Sequence, residues 1–321
     1  MGLRIGVDIG GTKIEAIALD GEREVFRERV ATPRGDYAAT IQAVRNLVGR
    51  AGEGSIGIGI PGALSRVTGL VKNANSTWLI GRSLKEDLEK ALGRPVRLEN
   101  DANCFALSEA TDGAGRGARV VFGVILGTGV GGGIVVDGRV LTGPNAIAGE
   151  WGHNPLPWPA DDERPGPACY CSKHGCIETF LSGPGLAADY VRRGGPLLRS
   201  EDVVTRADAG DPLATATLEV WMQRLGKSLA SVMNILDPDV IVVGGGLSRI
   251  GRLYERVPEL WRDWVFADRV DTRIVPAKHG DASGVRGAAR LWIASRPPLK
   301  LRPGSPKRLR REGGRATLED T

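Results

Sequence analysis

The chain has 321 residues, of which 41% are hydrophobic and 25% charged, a composition typical of globular proteins rather than disordered or fibrous ones. The net charge of +5 arises within residues 295–321, which hold eight Lys and Arg residues against three Asp and Glu residues. The rest of the chain is therefore neutral, which argues against a nucleic-acid-binding surface spread over the whole protein, and no apolar run approaches the length of a membrane span.

The first residues show no signal peptide, because a charged start, an apolar core and a small-residue cleavage site are all missing. Three of the four cysteines lie within eight residues of one another. That spacing favours a metal site over a disulfide framework, so we expect a cytoplasmic protein that does not enter membranes.

The first half of the chain begins with two apolar strands, Leu3–Ile9 and Ile14–Leu19, separated by Gly10–Gly11. Asp36 is a candidate N-cap, and Ser83 with Glu86 forms a candidate capping box. The pattern then predicts a strand at 25–30, a helix at 36–51, a strand at 55–60, a helix at 83–92, a strand at 96–98 and a helix at 101–110.

The second half repeats the same opening order, with a strand at 120–126, a glycine turn at 127–133 and a strand at 134–136. We therefore expect an α/β protein with two related lobes, because strands alternate with helices throughout. Further elements are predicted as a helix at 212–236, a strand at 240–243, a glycine turn at 244–246, a helix at 250–266, a strand at 273–275 and a helix at 283–293.

The first chemical motif is Asp8-Ile9-Gly10-Gly11-Thr12-Lys13 at the end of a strand. Two glycines let backbone N–H groups face a polyphosphate, Lys13 adds a positive charge, and Asp8 can hold Mg²⁺ through water. The spacing is not that of a Walker A loop. An ordinary hairpin with a charged rim is the alternative interpretation.

The second motif is the glycine run at 127–133, which contains G-x-G-x-x-G. A dinucleotide site requires this motif to open a helix, whereas a strand and a hairpin turn follow here. We therefore predict a phosphate-contacting loop between two strands and disfavour a dehydrogenase. Gly244-Gly245-Gly246 is a third glycine turn, which either lies against a nucleoside or only turns the chain.

The third motif is Glu99-Asn100-Asp101-Ala102-Asn103, where a strand ends and a helix starts. Adjacent amide and carboxylate groups suit the hydroxyls of a polyol, and a carboxylate there can take a proton from an attacking hydroxyl. The alternative is that Asn100 or Asp101 only caps the helix.

The fourth motif combines His153 with Cys169, Cys171 and Cys176, a Cys₃His set typical of structural zinc. The second ring nitrogen of His153 would remain for a substrate or a neighbouring acceptor. His174 is a rival fourth ligand, although its place inside the small loop makes a tetrahedron harder to form. Free thiols are the remaining alternative.

Taken together, these motifs resemble the bacterial sugar kinases of the ROK family, within the hexokinase–actin superfamily, and the resemblance covers residues 3–294. Residues 72–79 and 149–158 are most similar to manno(fructo)kinases, whereas residues 101–110 are equally similar to N-acetylglucosamine kinases. The resemblance implies a two-lobed ribonuclease H-like fold with a zinc-binding loop in the second lobe. We expect a first lobe at 1–118 completed by a helix at 283–294, a second lobe at 119–282, and a basic, disordered tail at 295–321.

The resemblance also implies roles for individual residues. Asp101 would be the catalytic base, zinc would be structural, and members are commonly homodimers. The implied sugar-binding residues are Asn75, Asn100, Asp101, Glu150, His153 and Glu178. The residues implied to face ATP and Mg²⁺ are Asp8, Gly10, Gly11, Thr12, Lys13, Thr128, Gly129, Gly245 and Gly246. The implied zinc ligands are His153, Cys169, Cys171 and Cys176.

The sequence departs from the family pattern in its cysteine loop, where Ser172 replaces a glycine. If that position requires a positive φ, serine strains the loop by about 1 kcal/mol, which zinc binding would outweigh. Fifteen residues also separate His153 from Cys169, more than in compact members.

The predicted function is ATP-dependent phosphorylation of a hexose at its 6-hydroxyl, with fructose first and mannose or glucose next. An N-acetylglucosamine kinase or glucokinase is the alternative within the family. A sugar-responsive DNA-binding regulator is disfavoured, because we see no room for a helix-turn-helix before Asp8. The basic segment at 307–311 is the remaining nucleic-acid candidate, and a solvated tail is the favoured interpretation of it.

Overall fold

The computed structural model describes residues 2–74, 76–292, 310–312 and 315–317. Across these ranges, no helix is both long enough and apolar enough to cross a bilayer. Asn75 and most of the predicted tail lie outside the described residues, so these predictions remain as stated.

The N-terminal sheet has five strands in the spatial order β3-β2-β1-β4-β7. β1 runs antiparallel to β2 and parallel to β4, which in turn is parallel to β7, so the carboxyl ends of β1, β4 and β7 share one edge. The strands of this half are Leu3–Ile9 (β1), Lys13–Asp20 (β2), Arg23–Ala31 (β3), Gly54–Ile60 (β4), Ala63–Leu64 (β5), Val71–Lys72 (β6) and Val96–Asn100 (β7), of which β5 and β6 form a separate short ladder.

The C-terminal sheet repeats this arrangement in the order β10-β9-β8-β11-β12, with β8 antiparallel to β9 and parallel to β11. The predicted recurrence of the two halves is therefore confirmed. Its strands are Val120–Leu126 (β8), Val130–Val136 (β9), Arg139–Val140 (β10), Val240–Gly244 (β11) and Arg273–Pro276 (β12); Arg310–Glu312 (β13) and Arg315–Thr317 (β14) pair with each other.

Nine α-helices are assigned within the described ranges, and three of them, between residues 177 and 208, were not predicted. The predicted helix at 250–266 is shorter, because a turn of 3-10 helix at Arg262–Trp264 follows it. The helices are Tyr37–Ala51 (α1), Leu84–Leu92 (α2), Asp101–Thr111 (α3), Ile177–Leu181 (α4), Gly183–Arg192 (α5), Ser200–Asp208 (α6), Pro212–Leu236 (α7), Leu253–Leu260 (α8) and Ser283–Ala289 (α9).

Helix capping follows the sequence in one predicted case and not in the other. Asp36 caps α1 by accepting a hydrogen bond from the backbone N–H of Ala39. The predicted capping box at Ser83 is wrong, because the Ser83 side chain makes no cap hydrogen bond in the structure.

Helices α3 and α9 lie between the two sheets. α3 starts directly after β7 of the N-terminal sheet and packs against β8 and β9, whereas α9 packs against β1 and β4 and against α3. The chain places glycines where these layers meet: a Cβ at Gly57 would lie 1.9 Å from the Ala288 carbonyl oxygen, and one at Gly287 would lie 1.7 Å from that of Cys104. Only glycine permits such close approach of two backbones.

The glycine run of the second motif is shorter than predicted, because β9 already begins at Val130. Gly132 and Gly133 are strand residues, and a Cβ at Gly133 would lie 2.4 Å from the Ala102 carbonyl oxygen of α3. These glycines therefore let α3 approach the sheet, and only residues 127–129 form the connecting loop.

Candidate active site

The Gly10–Thr12 loop joins β1 to β2, and two neighbouring side chains donate hydrogen bonds to its carbonyl oxygens. The Thr32 hydroxyl donates to the Gly10 carbonyl oxygen at 2.7 Å, and the Arg34 Nε donates to the Gly11 carbonyl oxygen at 2.8 Å. Gly11 and Thr12 are exposed. With its carbonyl oxygens bound in this way, the loop can present backbone N–H groups to an anion.

The two glycine loops of the C-terminal sheet lie side by side. In the first, the Gly127 N–H donates to the Gly129 carbonyl oxygen at 3.0 Å, and Thr128 is exposed. In the second, Gly245 has a φ of +83°, and a Cβ there would lie 2.3 Å from the Leu126 carbonyl oxygen. Gly245 and the exposed Gly246 thus lie directly beside the end of β8.

Asn100 is the N-cap of α3, as the alternative interpretation expected. Its Oδ1 accepts hydrogen bonds from the backbone N–H groups of Ala102 and Asn103 at 2.9 and 3.2 Å, and its Nδ2 donates to the Gly62 carbonyl oxygen at 3.1 Å. These bonds fix the first turn of the helix against β4 and β5. Asp101, the next residue, is thereby held at the carboxyl edge of the N-terminal sheet.

The Asp101 carboxylate is partly buried, and its Oδ1 accepts a hydrogen bond from the Ala102 N–H at 2.8 Å. Burial, aided by the charge of Glu150, raises the pKa of Asp101 to about 6, although the Ala102 N–H works in the opposite direction. A carboxyl group with a pKa near the working pH is suited to general-base catalysis.

Asp8, at the end of β1, is close enough to Asp101 for the two charges to interact. Burial and then the charges of Asp101 and Glu15 raise the pKa of Asp8 to about 7, with Lys13 acting against them. Paired carboxylates beside a phosphate-binding loop are the groups that a divalent cation would neutralise, so this donor set fits the expected Mg²⁺.

Glu150 and Glu178 are two carboxylate side chains that the opposite lobe contributes to the site. Glu178 Oε2 accepts a hydrogen bond from the Val130 N–H at 2.9 Å, which ties α4 to the start of β9. Burial and the charge of Glu178 raise the pKa of Glu150, while the charge of His153 lowers it. The structure therefore brings together Asp8, Asp101, Glu150 and Glu178 from two lobes, all of them candidate site residues of the sequence analysis.

Glu99 belongs to the third motif, from which no role was predicted for it. Its Oε1 accepts hydrogen bonds from the Asn100 N–H at 3.0 Å and the Asn103 Nδ2 at 2.9 Å, and its Oε2 accepts one from the Thr142 hydroxyl at 3.2 Å. Since Thr142 follows β10, this contact joins the two halves of the molecule. The Lys72 ammonium makes a second link by donating to the Asn145 carbonyl oxygen at 2.8 Å.

The predicted zinc ligands His153, Cys169, Cys171 and Cys176 converge, with their donor atoms all within 4.8 Å of one another. The Sγ atoms of Cys171 and Cys176 are 3.6 Å apart, and the Cys169 Sγ lies 3.6 Å from the His153 Nδ1. Zinc with Zn–S bonds of about 2.3 Å requires donor separations of roughly 3.8 Å, so the set fits a tetrahedral ion. His174 is exposed and lies outside the cluster.

Two details of the zinc loop refine the predictions. Ser172 has a φ of +68°, so the residue that replaces glycine does occupy the strained left-handed region. The Nε2 of His153 is 2.9 Å from the Tyr170 hydroxyl, so the second ring nitrogen faces a neighbouring side chain. The sequence did not indicate Tyr170 as a site residue, because its contact with His153 depends on the conformation of the folded loop.

Comparisons with known proteins agree with this architecture. The ROK profile matches residues 4–295. The chain belongs to the ROK family. It is 42% identical over 298 residues to an N-acetyl-D-glucosamine kinase of Photobacterium profundum, which covers 90% of this chain and 98% of the relative.

Two solved structures of the family show the same fold. A ROK hexokinase from Thermus thermophilus is 32% identical, with a TM-score of 0.79, covering 89% of this chain and 96% of its own. A glucokinase from Streptomyces griseus, in complex with glucose and AMPPNP, is 31% identical, with a TM-score of 0.73, covering 90% and 99%. The predicted fold class and family are thus confirmed, whereas the expected closer similarity to manno(fructo)kinases is not supported.

Proposed function

We propose that the protein is an ATP-dependent kinase that phosphorylates N-acetyl-D-glucosamine at its 6-hydroxyl. The observation that carries this proposal is the position of Asp101, a carboxyl group with a raised pKa at the first turn of α3, beside the glycine loop of the N-terminal sheet. The curated relatives named N-acetyl-D-glucosamine kinase support this sugar over fructose.

In the proposed reaction, Asp101 accepts the proton of the sugar 6-hydroxyl as its oxygen attacks the γ-phosphorus of ATP. Asn100, Glu150 and Glu178 orient the remaining hydroxyls. His153 would join them through its Nε2 by exchanging the Tyr170 hydroxyl for a sugar hydroxyl. Mg²⁺, held near Asp8 through water, would neutralise charge on the phosphates. The loops at 10–13, 127–129 and 245–246 face the nucleotide, and approach of the two lobes excludes water as a competing nucleophile.

The zinc loop has a positioning role in this proposal. α4 follows Cys176 directly, so the loop fixes the start of the helix that carries Glu178. His153 would link the same ion to the 3-10 helix at Trp151–His153, which follows Glu150. Zinc would therefore hold two sugar-binding carboxylates in register.

A coupled assay of ADP release tests the proposal, with ATP–Mg²⁺ against N-acetylglucosamine, glucose, mannose and fructose. We expect the highest kcat/KM for N-acetylglucosamine. Glucose is the second candidate, because the Streptomyces griseus relative was crystallised with it. A preference for fructose would return the assignment to the motif-based expectation, and no turnover with any sugar would reject the kinase proposal.

A further inference from the structure

Ser76 carries a buried hydroxyl group for which the described part of the chain offers no hydrogen-bond partner. The residue is 1% exposed, and its Oγ meets neither a donor nor an acceptor there. Ser76 precedes the 3-10 helix Thr77–Leu79, yet its side chain makes no cap hydrogen bond; its backbone carbonyl oxygen accepts one from the Leu79 N–H at 3.0 Å. A buried hydroxyl without a partner is unfavourable, so the surroundings of Ser76 decide which bound group can complete its hydrogen bonding.

The Ser76 hydroxyl lies against the glycine loop of the N-terminal sheet. A Cβ atom at Gly11 would lie 3.8 Å from the Ser76 Oγ, and no other described atom outside Gly10–Thr12 comes within 4 Å of that position. Gly11 is also exposed, so a ligand can reach this space. Glycine at position 11 therefore leaves room between the loop and the hydroxyl, and a phosphoryl oxygen suits a space of this size.

The segment that carries Ser76 also borders the sugar side of the site. A Cβ at Gly62 would lie 2.9 Å from the Ala74 Cα, so the segment packs tightly on Gly62. The Gly62 carbonyl oxygen accepts the hydrogen bond from the Asn100 Nδ2 at 3.1 Å. Ala74 thus neighbours the cap of α3, and two residues later Ser76 lies beside the phosphate loop. The hydroxyl is therefore placed where sugar and nucleotide would meet.

We propose that the Ser76 hydroxyl donates a hydrogen bond to the phosphoryl group during its transfer from ATP to the sugar, which makes Ser76 a catalytic residue. The oxygens of that group carry the charge that the site must stabilise, and a serine hydroxyl supplies one donor without adding a charge. Ser76 keeps its proton throughout, and Asp101 remains the base. The inference rests on the proposed function and deepens it by adding a group that contacts the reacting atoms.

The test is the variant Ser76→Ala, measured by coupled ADP release and by calorimetry. We expect kcat to fall at least about tenfold, because a donor aimed at the transferred group is lost. The Kd values for N-acetylglucosamine and for ADP should change by less than about twofold, since neither ligand contains that group. The midpoint of denaturant unfolding should not decrease, because the variant removes a buried hydroxyl that lacks a protein partner. A purely structural role predicts a lower midpoint.

Ser108→Ala is the matched control. The Ser108 hydroxyl in α3 is also buried and without a partner among the described residues, yet it does not border the phosphate loop. This variant should keep the kcat of wild type. A Ser76→Ala protein with the kcat of wild type overturns the inference, and so does one whose only change is a weaker Kd for ADP or sugar.

Ser76→Cys covers the case in which Ser76→Ala does not fold. The thiol keeps the shape of the side chain closely but donates a weaker hydrogen bond. Its kcat should lie below that of wild type while the Kd for ADP is kept; a kcat equal to that of wild type would overturn the inference. A wild-type protein that phosphorylates none of the tested sugars would instead reject the proposed function itself.

Discussion

Asp101 is the residue on which the proposed phosphoryl transfer depends most directly. Burial and Glu150 raise its pKa to about 6, so at neutral pH most molecules hold it as a carboxylate. It remains basic enough to accept a proton from a hydroxyl as the phosphoryl group is transferred. The side-chain oxygen of its neighbour Asn100 accepts the helix-cap hydrogen bonds, so Asp101 is the residue that we propose as the base.

The first prediction is that Asp101→Asn lowers kcat by at least about 100-fold, because the amide cannot accept the proton. Sugar affinity should stay nearly unchanged, since the amide keeps the shape of the carboxylate. Coupled ADP release gives kcat and calorimetry gives the sugar Kd. Asp20→Asn, at an exposed strand end, is the control. A variant with the kcat of wild type would remove Asp101 from the role of base.

The second prediction concerns pH. The base must be ionised to act, so kcat/KM should fall as the pH drops through about 6, the pKa of Asp101. The charge of Glu150 helps to raise this pKa. Glu150→Gln should therefore move the acid limb of the profile to lower pH, whatever it does to the rate. An acid limb that stays in place would show that Glu150 does not act on the titrating group.

The third prediction is that Cys171→Ser abolishes zinc binding and loosens the segment that carries Glu178. Removing one thiolate opens the tetrahedral set, and the strain at Ser172 is then no longer offset by the metal. Zinc content by elemental analysis and the KM for sugar are the measurements. Cys104→Ala, outside the cluster, should keep its zinc. A metal-free Cys171→Ser protein with normal activity would show that the site is dispensable.

At the scale of elements, the packing of α3 and α9 depends on glycine. Gly287 of α9 has no room for a side chain, because its Cβ would lie 1.7 Å from the Cys104 carbonyl oxygen. Gly49 of α1 is the opposite case, since nothing lies within 4 Å of its Cβ position. The two positions form a matched pair, as both are glycines inside helices.

The fourth prediction is that Gly287→Ala lowers the free energy of unfolding by at least about 2 kcal/mol, because two backbones must separate. Gly49→Ala should instead raise it by about 0.5–1 kcal/mol through helix propensity. Denaturant unfolding measures both. If Gly287→Ala is as stable as wild type, the close contact of α3 and α9 described here is wrong.

Most elements followed from local sequence, and the exceptions have physical causes. Apolar runs that end at glycine turns predicted β1, β4 and β8, and Asp36 marked the start of α1. Gly132 and Gly133 were misassigned to a turn because their role, contact with α3, is set by a distant helix. The helices between 177 and 208 were missed because none of them exceeds 10 residues, and because α5 begins with glycine and proline.

For the molecule as a whole, the motif residues could be predicted from the sequence, but the shape of the pocket that they enclose could not. Asp8, Asp101 and the zinc ligands each carry a local signature. The Glu99–Thr142 contact joins residues 43 positions apart, and a cavity of about 210 Å³ beside Asn100 exists only where the two lobes meet. The motifs therefore favoured fructose whereas the relatives favour N-acetylglucosamine, because the preferred hexose depends on pocket shape, a property of tertiary structure.

In the reaction that we propose, the two lobes direct the γ-phosphoryl group of ATP to the 6-hydroxyl of N-acetylglucosamine. The most direct measurement is ³¹P NMR of the product formed from ATP–Mg²⁺ and N-acetylglucosamine, with 6-deoxy-N-acetylglucosamine in a parallel reaction. We expect one phosphomonoester, at position 6, and no phosphorylated product from the 6-deoxy sugar. A phosphate at another carbon, or release of inorganic phosphate alone, would contradict the proposed reaction.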